Sequence, residues 1–195
     1  MQYPLQLRFK VFALATQIYV TDASGNVVYY VKQKMFKLKE AITVFGDEAQ
    51  QDPKFTINAD RVIDFSASYA FTDTSGQALG AIKRQGMKSF WKATYEIRDE
   101  AGQPSMTITE ENPWVKVLEG LLVDVPVVGM VANYLLNPKY AVTLADGRIA
   151  MRFIKMPSVF DRRFEIESVI PLDAANEKRA ILGGLMMVLL ERNRG

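Results

Sequence analysis

The stretch Ala180-Ile-Leu-Gly-Gly-Leu-Met-Met-Val-Leu-Leu190 decides the fold. Lys178-Arg179 precede it and Glu191-Arg192 follow it, but between them no polar side chain breaks the run. A helix that is apolar on every face must be buried, either in lipid or in protein. These 11 residues would rise only about 16 Å at 1.5 Å per residue, about half the hydrocarbon thickness that a spanning helix must cover. Length therefore assigns the segment to a protein interior, and the rest of the chain has to supply the wrapping.

That wrapping is a repeated hairpin. Ile18-Tyr-Val20 precedes Asp22-Ala-Ser-Gly25, and Tyr69-Ala-Phe71 precedes Asp73-Thr-Ser-Gly76. Tyr95-Glu-Ile97 precedes Asp99-Glu-Ala-Gly102, and Tyr140-Ala-Val-Thr-Leu144 precedes Asp146-Gly147. An Asp at the head of a turn can accept backbone N–H bonds, and Gly enters positive φ without a Cβ penalty. Alternating apolar residues on both sides complete the hairpin signal. Asp22, Asp47, Asp73 and Asp99 are 25, 26 and 26 residues apart, and Asp146 and Asp173 follow after 47 and 27. Two strands with their connections fill such a unit. No unit is large enough for a core of its own, so the units must share one. The expectation is a single domain over 1–195, mainly β: an antiparallel barrel of hairpins closed around the apolar C-terminal helix.

The double-length interval holds Pro113 to Pro138. Trp114, Val117, Leu118, Leu121 and Leu122 recur at helical spacing, Asp124 and Pro126 interrupt, and Val127 to Leu136 resume. The spacing predicts a helical insertion at 113–138, either a lid on one barrel end or an exposed apolar contact surface. Its longest charge-free part, Val125 to Pro138, is shorter than the roughly 20 residues of a spanning helix, so no transmembrane segment is expected.

Composition excludes much chemistry. The chain has 195 residues, 49% hydrophobic and 24% charged, with 24 basic against 22 acidic side chains. That balance offers no nucleic-acid-binding stripe. With no histidine, His-dependent triads and His-ligated metals are excluded. With no cysteine, thiol catalysis, iron–sulfur clusters and disulfides are excluded as well. A cytoplasmic location is the simplest expectation. Met1 to Thr16 contains no apolar stretch of signal-peptide length. No P-loop, dinucleotide fingerprint or Gly-x-Ser-x-Gly elbow is present. Neither catalysis nor a cofactor is expected. Glu110-Glu111 and Glu165/Glu167 are the tight carboxylate groupings, read as exposed strand residues. The Asp turns offer one carboxylate each, too few for calcium.

Tyr30-Val-Lys-Gln-Lys-Met-Phe-Lys-Leu-Lys-Glu40 followed by Ile42-Thr-Val-Phe45 resembles the opening of LURP-one-related proteins. Asp161-Arg-Arg-Phe-Glu-Ile-Glu167 and the apolar tail from Ala180 resemble that family's closing strand and final helix. The resemblance runs from about Tyr19 to Arg192, apart from the 113–138 insertion. It implies the tubby C-terminal-like fold, a barrel of about twelve strands around a central hydrophobic helix, shared with phospholipid scramblases. Tubby domains bind phosphoinositides, but their lipid-contact motif has no counterpart in this sequence, nor does the acidic calcium segment of the scramblases.

Two contact candidates follow. Lys32, Lys34, Lys37 and Lys39 form the densest basic run, either an anionic-lipid headgroup site or the solvated face of alternating strands. Trp114, Leu118, Leu121 and Leu122 would carry the insertion's contact. Lys83, Arg84, Lys88 and Lys92 form a looser cluster beside Phe90 and Trp91. The expected function is a non-catalytic binding or scaffold domain. The alternative is a peripheral membrane module for anionic phospholipid or phosphoinositide headgroups.

Overall fold

Period-2 apolar runs bounded by Asp and Gly become strands wherever the chain is described. A computed structural model describes residues 1–12, 15–34, 41–60, 67–85, 94–111, 138–157 and 162–192. The first strands are β1 (Leu5–Phe12), β2 (Ala15–Thr21), β3 (Val27–Lys34), β4 (Ile42–Phe45), β5 (Pro53–Ala59) and β6 (Ser68–Asp73). There follow β7 (Ala78–Gln85), β8 (Thr94–Arg98), β9 (Pro104–Glu110), β10 (Lys139–Leu144), β11 (Ile149–Met156) and β12 (Arg162–Ser168). Helix α1 (Ala174–Arg192) completes the described elements.

Each strand pairs antiparallel with its sequence neighbours, and β1 pairs with β12, with Leu7 opposite Phe164, so the sheet closes. The result is an up-and-down barrel of twelve strands among the described residues, an arrangement that leaves no sheet edge open. Even across 112–137 the order is kept: Tyr140 on β10 faces Glu110 on β9.

The turns follow the expected chemistry. Asp22 Oδ1 accepts the Ser24 and Asn26 backbone N–H at 3.0 Å each. Asp73 Oδ1 does the same for Ser75 and Gln77 at 2.9 Å. Gly25 and Gly76 both sit at φ +83°, a conformation that side chains on Cβ disfavour. The register shifts by one residue beside each of these two turns, the signature of a type I turn with a glycine bulge. Asp173 departs from the series. Rather than opening a hairpin, it caps α1, its Oδ1 accepting the N–H of Ala175 at 3.0 Å and of Asn176 at 2.9 Å.

These turns, the start of β1 and the start of α1 gather at one end of the barrel, the turn end; the opposite end is the far rim. Helix α1 runs down the middle. Ala180, Ile181, Leu182, Leu185, Met186 and Met187 are 0–1% exposed and pack on inward residues such as Phe9, Phe71, Ile97 and Phe153. Gly183 lets the helix approach the wall: a Cβ there would come within 2.7 Å of Ile97 Cδ1. Glycine inside a helix costs roughly 1 kcal/mol of propensity, offset here by close packing.

Polar ties fix the helix at the turn end. Arg179 is 7% exposed. Its Nε donates to the Leu79 carbonyl at 2.6 Å, its Nη1 to Asn176 Oδ1 at 2.9 Å, and its Nη2 to the Glu100 carboxylate. A buried cation is tolerable only with such partners. Gly80, at φ +138°, makes the room, since a Cβ there would strike the Arg98 carbonyl and crowd Arg179. Tyr3 Oη donates to Glu177 Oε1 at 2.8 Å, tying the first turn of α1 to the segment before β1.

Candidate functional site: the outer face of four strands

Because Leu5, Leu7 and Phe9 point inward, Gln6, Arg8 and Lys10 must point outward from β1. The same alternation puts Gln17, Tyr19 and Thr21 on the outside of β2, and Arg163 and Glu165 on the outside of β12. On β3 it places Tyr30 and Lys32 outside. Register then assembles residues that sequence keeps far apart. Arg8 stands opposite Arg163 on one side and Tyr19 on the other. Lys10 stands opposite Gln17, which stands opposite Lys32. Lys32, at the start of the basic run, is exposed and becomes one end of a cationic face that reaches across to β12.

The remaining contact candidates cannot be placed on this face. The Lys34 side chain, and Lys37, Lys39, Trp114, Leu118, Leu121 and Leu122, lie outside the described residues, as do 112–137 of the insertion and Lys88, Phe90, Trp91 and Lys92. Arg84 does not join an outer cluster. It points inward, its guanidinium 5.9 Å from the ring centre of Tyr95, whereas Lys83 faces out opposite Glu96.

A hollow of about 300 Å³ opens on the outer face, bounded by Gln6, Arg8, Lys10, Tyr19, Thr21 and Arg163. Its aromatic wall is held in place. Tyr19 Oη donates to Glu48 Oε1 at 2.6 Å, with Gln17 Oε1 at 3.2 Å, and the Lys10 ammonium lies 4.9 Å from the ring centre. The Tyr19 and Tyr30 rings meet at a tilt of 58° with their centres 5.0 Å apart and are only 8% and 1% exposed, although they sit on the outer side of the wall. The loop between β4 and β5 reaches over to Tyr19 with Glu48. Asp47 orders that loop, accepting the N–H of Gln51 at 3.0 Å and of Asp52 at 2.9 Å. Desolvation, reinforced by the Glu48 carboxylate, holds the Tyr19 hydroxyl protonated far above its ordinary range.

A second polar group lies inside the far rim. Tyr95 Oη donates to Glu191 Oε1 at 2.5 Å, joining β8 to the last turn of α1. Tyr140 and Glu110 flank this pair from β10 and β9. Burial first, then the carboxylates, raise the hydroxyls of Tyr95 and Tyr140. Glu110 corrects the expectation of exposed strand carboxylates, being 0% exposed and inward-facing. Glu111, one residue on, turns outward and accepts from Arg152 Nε at 3.0 Å. The signal for this was present in Met106, Ile108 and Glu110, which share one face of β9. The register that gathers Arg8, Lys10 and Arg163 had no signal in the sequence.

No group of three or more metal-ligating side chains occurs among the described residues. No described helix is long and apolar enough to cross a membrane. Searches among curated proteins and among solved structures found no match. Residues 27–192 match the sequence pattern of LURP-one-related proteins. That stretch takes in β3 through α1, the bulk of the barrel and the helix that fills it. The chain belongs to the LURP-one-related family.

Proposed function

We propose that this domain works by binding rather than by catalysis, and that it binds through its outer wall. One observation carries the reading: α1 fills the barrel, with Leu182, Leu185, Met186 and Leu189 at 0–3% exposure. A barrel open inside could carry a ligand there; this one is packed with its own helix. Recognition therefore falls to the outside, where Arg8, Lys10, Lys32 and Arg163 concentrate positive charge that the near-neutral chain does not show overall. The central helix within a twelve-strand barrel supports the tubby C-terminal-like assignment that the family resemblance implies. A cysteine-free chain suits the cytoplasm.

The test compares the full chain with its Lys10→Glu/Lys32→Glu variant in affinity capture, with Lys83→Glu as the control on another part of the wall. A partner kept by wild type and the control but lost by the double variant supports the outer-face reading. Identical retention by all three overturns it.

The cationic face favours a second reading, a peripheral module on anionic membrane. Co-sedimentation with phosphatidylcholine vesicles, with and without phosphatidylserine, checks it. Binding should require the anionic lipid, fall with salt and fall in the double variant; binding indifferent to all three discards the reading.

A further inference from the structure

Tyr30 faces outward from β3 and is nevertheless 1% exposed. In register it lies between Tyr19 on β2 and Phe45 on β4. The loop 46–52, between β4 and β5, closes over the two tyrosines from outside and sets Glu48 on the Tyr19 hydroxyl at 2.6 Å. Burial, then the Glu48 carboxylate, raise the Tyr30 hydroxyl above its ordinary value, so one carboxylate stands near both rings.

This loop holds its own shape. The Gly46 N–H donates to the Asp52 carbonyl at 2.8 Å, and Asp47 Oδ1 accepts from Gln51 and Asp52 at 3.0 and 2.9 Å. The Lys54 ammonium bridges to Asp52 at 2.9 Å. Its footing in the wall is narrow by comparison. With 4 residues, β4 is the shortest described strand, and the register joins it to β3 at a single pair, Tyr30 opposite Phe45. By contrast, β2 pairs with β3 all the way from Ala15 to Thr21. Glu48 is itself exposed, so water competes for its hydrogen bond to Tyr19.

We infer that the β4–β5 loop is a hinged cover, which swings off Tyr19 and Tyr30 as one body about its footing at Phe45, with Glu48 on Tyr19 as the latch. Local opening occurs where few ladder bonds and little buried surface resist it, and a loop bonded within itself moves whole. Opening uncovers two aromatic rings on a wall whose closed surface shows almost nothing of either. A ligand that needs those rings binds the open form alone, its apparent affinity scaled by the open fraction. The cover goes beyond the outer-face reading and is tested without any partner.

Hydroxyl-radical footprinting of the full chain, read by mass spectrometry, follows the oxidation of Tyr30. Tyr95, at 0% exposure inside the barrel, reports global unfolding. Tyr19→Phe keeps the ring and removes the hydroxyl that Glu48 holds. It should raise Tyr30 oxidation about fivefold, the factor that a typical net hydrogen bond puts on an equilibrium, and leave Tyr95 unchanged. Gln17 and Glu48 reach the same Tyr19 hydroxyl, and the chain has no cysteine of its own. In Gln17→Cys/Glu48→Cys, a bifunctional maleimide can therefore tie the loop down. Tyr30 oxidation should be high when both thiols carry a monofunctional maleimide and should return to the wild-type level or below when they are bridged. Equal Tyr30 oxidation in all these forms, oxidation that bridging does not lower, or a rise shared with Tyr95 overturns the hinged cover.

Discussion

Gly184 of α1 lies directly under the ring of Phe153 on β11, so close that a Cβ on Gly184 would occupy the ring's own position. Both residues are interior, with Phe153 at 0% exposure. The glycine pair in the helix is thus dictated by the wall: Ile97 touches down at Gly183 and Phe153 at Gly184.

Gly184→Ala is therefore expected to destabilise the protein although alanine favours helix. The propensity gain is about 1 kcal/mol, while overpacking a tight core costs about 1–3 kcal/mol, occasionally more. Urea unfolding should show a net loss. Adding Phe153→Leu to Gly184→Ala should recover part of it, making the double variant more stable than the sum of the singles predicts. Strict additivity would refute the contact.

Leu185→Asp places a carboxylate at a site that is 1% exposed among apolar neighbours. An unpaired buried charge costs several kcal/mol, comparable with the whole stability of a domain. No folded protein should be recovered. A variant with wild-type circular dichroism and melting temperature would contradict the central position of the helix.

Tyr95→Phe keeps the ring and deletes the hydroxyl that donates to Glu191 at 2.5 Å. A hydrogen bond to a charged group contributes about 1.5–3 kcal/mol, so urea unfolding should register a loss of that order. Hydrogen exchange should quicken most in the last turns of α1. Uniform protection along the helix would show that the bond does not anchor that end.

Alkaline pH should destabilise the barrel. Burial, with Glu177 nearby, pushes the Tyr29 hydroxyl up to about 12. Burial and adjacent carboxylates raise Tyr95 and Tyr140 as well. A group whose folded value lies above its unfolded value of 10.0 stabilises fully below that pH. The contribution is lost as pH climbs through 10.0 toward the folded value, because the unfolded chain releases its proton first. Denaturation midpoints should hold up to about pH 10 and then fall, with tyrosinate absorbance appearing together with unfolding. Early, non-cooperative ionisation of these three side chains would refute the prediction.

Local chemistry was legible in the sequence; long-range register was not. The Asp22 and Asp73 turns carry their geometry in four residues, because the carboxylate and the glycine act on adjacent backbone. The run from Ala180 to Leu190 declared its burial because no arrangement but an enclosed one satisfies it. Asp173 looked like another turn residue, since an Asp that accepts nearby N–H groups serves a hairpin or a helix start equally. Arg8 and Arg163 lie 155 positions apart and meet only because β1 closes on β12. Nothing local to either residue encodes that meeting. Glu110 shows the intermediate case, since alternation with Met106 and Ile108 points it inward even though its charge suggests the surface.

The order of the elements has a consequence for synthesis. All twelve described strands leave the ribosome before the segment from Ala174 onward that they must enclose. Through most of translation the nascent chain therefore displays sticky hairpins with nothing to wrap. A nascent chain that ends at Leu172 should therefore stay open to protease, whereas one that includes α1 should resist it once the seam between the first and last strands shuts.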